Sequence, residues 1–145
     1  LPCWIARASR PPKAVAHRQA MVDMDDRALV LDPKPADIQD RDGAISVLQV
    51  SRRSFPFIEK ALADMGYSGD KPQNATLVDV EIVRKPKDQA GFAVHPKRWV
   101  VERFFAWISR NRRLGKDPEA TTKSAKAFLY AASIMTLTRR IARSS

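Results

Sequence analysis

Hydrophobic and polar positions change period along the chain, and those changes divide it into elements. Residues 77–84, Leu-Val-Asp-Val-Glu-Ile-Val-Arg, alternate with period 2 from Val78 to Ile82 and predict a strand. Residues 19–24 and 28–32 are short, partly apolar runs on either side of Asp25-Asp26-Arg27. They predict a β-hairpin whose turn lacks the usual glycine, with Pro33 and Pro35 closing its second strand. Asp40 or Asp42 is placed to cap a helix reaching about Arg53, with Ile45 and Leu48 spaced for one buried side. Phe55-Pro56-Phe57 breaks that helix. Residues 58–63 then read as a short strand delivering Asp64 at its end, although Glu59-Lys60 and two alanines also suit a helix. Residues 69–76 predict a short helix or loop, and 85–90 a polar loop. From Pro96 the pattern is helical: one helix to about Arg110, a break at 115–118, and a last helix from about Glu119 to Ile141. Two stripes on that last helix, Tyr130, Ile134, Leu137 and Ile141 beside Phe128, Ala131 and Met135, predict packing on two sides. Residues 1–16 follow neither period and contain three prolines, which predicts an irregular arm ahead of a domain over 17–145. Strands alternating with helices make this an α/β chain.

Composition narrows the class. With 44% apolar and 29% charged residues among 145, the chain is globular, and its apolar runs are far too short to span a bilayer. A single cysteine, Cys3, excludes an internal disulfide, and no Cys/His set has zinc spacing. No secretory signal is legible at the start, so a reducing, cytoplasmic setting is expected. The formal charge of +10 points to a polyanionic partner. Its distribution says more. Residues 1–96 hold 14 Lys/Arg against 13 Asp/Glu, whereas residues 97–145 hold 12 against 3. The excess therefore belongs to the last third of the chain.

Two carboxylates stand out by position. Asp64 lies just past a proposed strand and just before Gly66, where a sheet offers side chains at its carboxyl end. Glu102 lies in a very apolar helix, Trp99-Val100-Val101-Glu102-Arg103-Phe104-Phe105-Ala106-Trp107-Ile108. A helical wheel puts Val100, Val101, Phe104, Phe105, Trp107 and Ile108 on one arc, with Glu102 just beyond its edge. Trp99, Arg103 and Arg110 fall on the opposite side. A rim carboxylate stays ionised and can face the end of a strand, as a metal ligand must. The residues alone allow a plainer role as well: Glu102 can pair with Arg98 four residues earlier, and Asp64 can stabilise a turn.

Several phrases resemble the C-terminal part of an insertion-sequence DDE transposase of the IS-five kind. They are Met21-Val22-Asp23-Met24-Asp25 with Ala28-Leu29-Val30-Leu31, Ala36-Asp37-Ile38-Gln39-Asp40-Arg41-Asp42-Gly43-Ala44, and Ala63-Asp64-Met65-Gly66-Tyr67-Ser68-Gly69-Asp70. Val80-Glu81-Ile82-Val83-Arg84-Lys85 follows, then Arg98-Trp99-Val100-Val101-Glu102-Arg103-Phe104-Phe105-Ala106-Trp107 and Asn111-Arg112-Arg113-Leu114. The matching phrases run in order over roughly residues 20–142.

The resemblance implies a ribonuclease-H-like mixed sheet followed by C-terminal helices, and an acidic triad holding two divalent ions, Mg2+ or Mn2+, for phosphodiester cleavage and strand transfer. Asp64 matches the family's second aspartate and Glu102 its glutamate, so these two are the expected catalytic and metal-binding residues. Arg98, Arg103, Arg110, Arg112, Arg113 and Lys116 are the expected DNA contacts, DNA being the implied partner at transposon ends and target. One departure matters. The family's first aspartate lies on the opening strand of the sheet, and residues 1–16 contain no acid. The expectation is therefore a truncated sheet and a chain that is inactive alone, its aspartate supplied by fusion or by an upstream frame product, with a homo-oligomer as the other expected partner. The alternative is a DNA-binding or regulatory remnant without chemistry.

Overall fold

A computed structural model describes residues 2–8, 16–35, 37–83, 99–111, 114 and 121–144. Five strands form one sheet: β1 (Pro2–Ala8), β2 (Ala16–Asp23), β3 (Ala28–Pro35), β4 (Lys60–Ala63) and β5 (Asp79–Ile82), in the spatial order β3-β2-β1-β4-β5. The first three are antiparallel neighbours, while β1–β4 and β4–β5 are parallel. Helices α1 (Asp40–Ser54), α2 (Asp70–Asn74), α3 (Trp99–Ser109) and α4 (Thr122–Ser144) complete the described elements. This is a mixed α/β domain of ribonuclease-H-like arrangement.

The irregular arm expected over residues 1–16 is corrected here. Residues 2–8 form β1, the middle strand of the sheet, so the sheet does not lack a strand at that place. The reason is burial on both faces. Cys3 and Ile5 pack with α1, Trp4 packs on the opposite side with Leu62 and Val101, and all three are at most 2% exposed. A strand covered on both faces shows no apolar–polar alternation, and Pro2 is tolerated as its first residue.

Elsewhere the period-2 rule sorts the core cleanly. Met21, Val30, Ala61 and Ala63 face α1, whereas Ala20, Val22, Leu31 and Leu62 face the C-terminal helices. The hairpin turns without glycine because Asp26 adopts φ 62°, a conformation that Asp tolerates better than most residues. Asp23 holds the turn: its Oδ1 accepts the backbone N–H groups of Asp25 and Arg27, both at 2.9 Å. Pro33 sits inside β3 without harm, since β3 is an edge strand. The helix α1 begins at Asp40 with Gln39 as its N-cap, so neither expected aspartate caps it. Ala44, Val47, Leu48 and Ser51 line its buried side, and Ile45 is only half-buried.

The strand ahead of Asp64 is present as β4, as is the short helix α2. In α4 the two expected stripes give way to a single seam of Ala125, Leu129, Ala132 and Ser133. Ile134, Met135 and Ile141 are 61%, 46% and 67% exposed. Tyr130 still docks α4, its hydroxyl accepting the Leu31 N–H of edge strand β3 at 3.1 Å. The expected loop at 85–90 and break at 115–118 lie outside the described residues.

Candidate functional site

Parallel β1, β4 and β5 end along one edge of the sheet, and the acidic residues gather there. Asp64 follows β4 directly, and its Oδ1 accepts the Gly66 N–H at 3.0 Å, capping the short 3-10 turn Met65–Tyr67. Asp40, the first residue of α1, reaches the same spot. A Cβ added to Gly66 would lie 2.9 Å from Asp40 Oδ2 and 3.2 Å from Asp64 Oδ1. The two carboxylates thus converge over a glycine that has no side chain to keep them apart. Burial pushes the Asp40 carboxyl above its ordinary range; Arg7 and His17 oppose that shift and the Asp64 charge adds to it. Tyr67 lies beneath, 1% exposed, its hydroxyl raised first by burial and then by Asp40 and Asp64. Arg7 comes from β1, with Nη1 2.7 Å from Asp40 Oδ1.

Glu102 stands on α3 and is exposed. Its neighbour Val101 packs on Trp4 and on Leu62, two residues before Asp64, so α3 crosses the strands that lead to the acidic edge. It does so on the face opposite α1. Asp64 accepts from Gly66 and acts electrostatically on Asp40 and Tyr67, all on the α1 side. Asp23 and Asp32, two carboxylates at other positions of the hairpin, are engaged elsewhere. Asp23 organises the turn and pairs with Arg27 at 2.6 Å, and Asp32 accepts from Ser46 at 2.8 Å and pairs with Lys34 at 2.9 Å.

Of the expected DNA contacts, Arg98, Arg112, Arg113 and Lys116 lie outside the described residues. Arg103 is already occupied. It pairs with Asp26, whose side chain is 1% exposed, and stacks over Trp99 at 3.9 Å from the ring centre. Its guanidinium is a structural clasp between α3 and the hairpin turn. Arg110 is exposed at the end of α3 and lines a groove of about 460 Å³ against α4. Arg139, Arg140 and Arg143 line the same groove together with Ile108 and Met135. Arg140 also donates to the Asp25 carbonyl at 2.6 Å. Sequence reasoning passed over these α4 arginines, although their spacing after Leu137 was there to be read.

The family model for the transposase DDE domain matches residues 6–138, most of the chain. The chain belongs to that family. No curated protein matches it. DDE transposases act on DNA and use divalent metal ions, so the acidic edge has to be tested against that requirement. Among the described residues no three His, Cys, Asp or Glu side chains converge. The seven residues of β1 include no acid, and the charge that β1 brings to the edge is the guanidinium of Arg7. A pair of metal ions needs carboxylates enough to balance both. The side chains described at this edge do not fit a metal pair. No helix among the described residues is long and apolar enough to cross a membrane.

Proposed function

We propose that this DDE transposase domain, similar to the C-terminal portion of IS-five-type enzymes, binds DNA but does not cut or join it alone. One observation carries the reading: β1, the strand on which the family resemblance expects the first aspartate, reads Pro-Cys-Trp-Ile-Ala-Arg-Ala. Asp64 and Glu102 are the residues that would hold Mg2+ or Mn2+ once a further carboxylate is supplied, on β1 or by a partner chain. Binding rests on the basic C-terminal third, with Arg110, Arg112, Arg113 and Lys116 as phosphate contacts and Arg139 and Arg143 added from α4. Arg103 contributes by holding α3 in place.

A salt titration of binding to duplex DNA tests this. Each phosphate neutralised contributes about −0.9 to the slope of log K against log salt. Replacing Arg110 and Arg139 together by Ala flattens the slope by up to about 2 and weakens unrelated sequences equally. Affinity that is unchanged and independent of salt contradicts the reading.

A further inference from the structure

The acidic edge contains an internal cation where the family's chemistry needs another carboxylate. Ile5 of β1 pairs with Ala63 of β4, so the two strands approach the edge together and Arg7 emerges beside Asp64 and Asp40. Its guanidinium and the Asp40 carboxylate form an ion pair, Nη1 to Oδ1 at 2.7 Å, in which the side chains are only 29% and 18% exposed. Two independent features show that this edge is more than an acidic cluster. Gly66 leaves a gap that both carboxylates reach, and a methyl group there would collide with Asp40 Oδ2. The Tyr67 hydroxyl, on a residue 1% exposed, has no hydrogen-bond partner among the described residues and lies within the influence of both carboxylates. A buried hydroxyl without a partner is costly, and here it marks polar space beside the two carboxylates.

We propose that Asp40 and Asp64 form a latent divalent-cation site that Arg7 holds closed as its resident counter-charge. Hard divalent ions take carboxylate oxygens, and two carboxylates converging on one gap repel each other unless a cation intervenes. Arginine supplies that cation permanently, since its guanidinium does not deprotonate in proteins. While it is in place, a metal ion entering between the carboxylates meets a positive charge already bound to one of them. The proposal goes beyond the DNA reading and needs no DNA for its test.

The probe is Mn2+ alone, with binding to the whole chain followed by electron paramagnetic resonance. Wild type is expected to show only weak, unsaturated binding. Arg7→Gln is expected to gain a saturable site at least about tenfold tighter, given the charge removed from the site. That site should vanish in Arg7→Gln combined with either Asp40→Asn or Asp64→Asn. Arg7→Lys keeps the charge and should stay closed. If Arg7→Gln is unfolded without metal, Mn2+ should restore its far-ultraviolet circular dichroism, because binding to the folded state alone stabilises it. A folded Arg7→Gln without tighter binding overturns the proposal, as does an unfolded one that Mn2+ does not rescue. Saturable binding by wild type that needs Asp64 overturns it too.

Discussion

At the carboxyl edge of the sheet, opposite charges meet inside one small space: Arg7 from β1, Asp40 from α1 and Asp64 after β4. Along α3 and α4 the arginines instead divide into two groups. Arg103 and Arg140 turn back onto the hairpin turn, through Asp26 and the Asp25 carbonyl, while Arg110, Arg139 and Arg143 stay exposed beside the groove. The first region spends its cation on its own acids and leaves nothing for an anion. The second keeps cations in reserve. That contrast separates an edge whose charges neutralise one another from a surface that leaves guanidinium groups exposed.

The largest effect expected from breaking this division comes from Arg103→Ala. It leaves the Asp26 carboxylate, 1% exposed, without its ion-pair partner. Stranding a buried charge costs about 3–5 kcal/mol, so thermal unfolding should shift down steeply, and DNA binding should fail through loss of fold. A variant with unchanged stability and reduced affinity would return Arg103 to the phosphate contacts.

Asp32 comes next. Burial alone would raise its carboxyl, but hydrogen bonds from Lys34 and Ser46, with Lys126 of α4 nearby, hold it below the ordinary range. The folded value lies below the unfolded one, so the unfolded chain binds more protons in that window. The resulting stability is present above the unfolded value, near 3.8, and is lost as pH falls through the lower folded value. Asp32→Asn should cost about 1–3 kcal/mol at neutral pH, from the loss of charged hydrogen bonds, and should flatten acid unfolding measured by denaturant titration. An unaltered pH slope would show that the α4 arm does not depend on this anchor.

A smaller loss is expected for Tyr130→Phe, which removes the hydroxyl that accepts the Leu31 N–H. The cost should be about 0.5–1.5 kcal/mol, with faster amide exchange at Leu31 as the specific sign that α4 seals the β3 edge. Exchange no faster than in wild type would place that protection elsewhere.

Much of this architecture was legible in the sequence, and the exceptions share a cause. The β5 alternation and the apolar arc of α3 belong to one-sided elements, whose periods record which side is buried. β1 is covered on both sides, so its strand character was invisible in the pattern, and Pro2 with Pro11 and Pro12 just beyond it suggested the opposite. The α4 stripes failed for the converse reason. Ile134, Met135 and Ile141 are apolar but exposed, because the described sheet and α3 cover only its Ala125–Leu129–Ala132 side. Asp64 could be picked out because a carboxylate followed by Gly66 at a strand end is a local pattern. The roles of Arg7 and Asp40 are set by the pairing of β1 with β4 and by where α1 begins, and no local spacing carries that information.

The proposed division of labour is a domain that grips DNA without the carboxylate set needed to cut it. The most direct measurement is a cleavage assay with manganese on duplex DNA carrying the element's ends, comparing this chain with Arg7→Asp, which puts a carboxylate on β1 beside Asp40 and Asp64. This chain should leave the DNA retarded but intact. Arg7→Asp should cleave it, and Arg7→Asp combined with Asp64→Ala should not. Robust cutting by the chain alone, abolished by Asp64→Ala, would contradict that division.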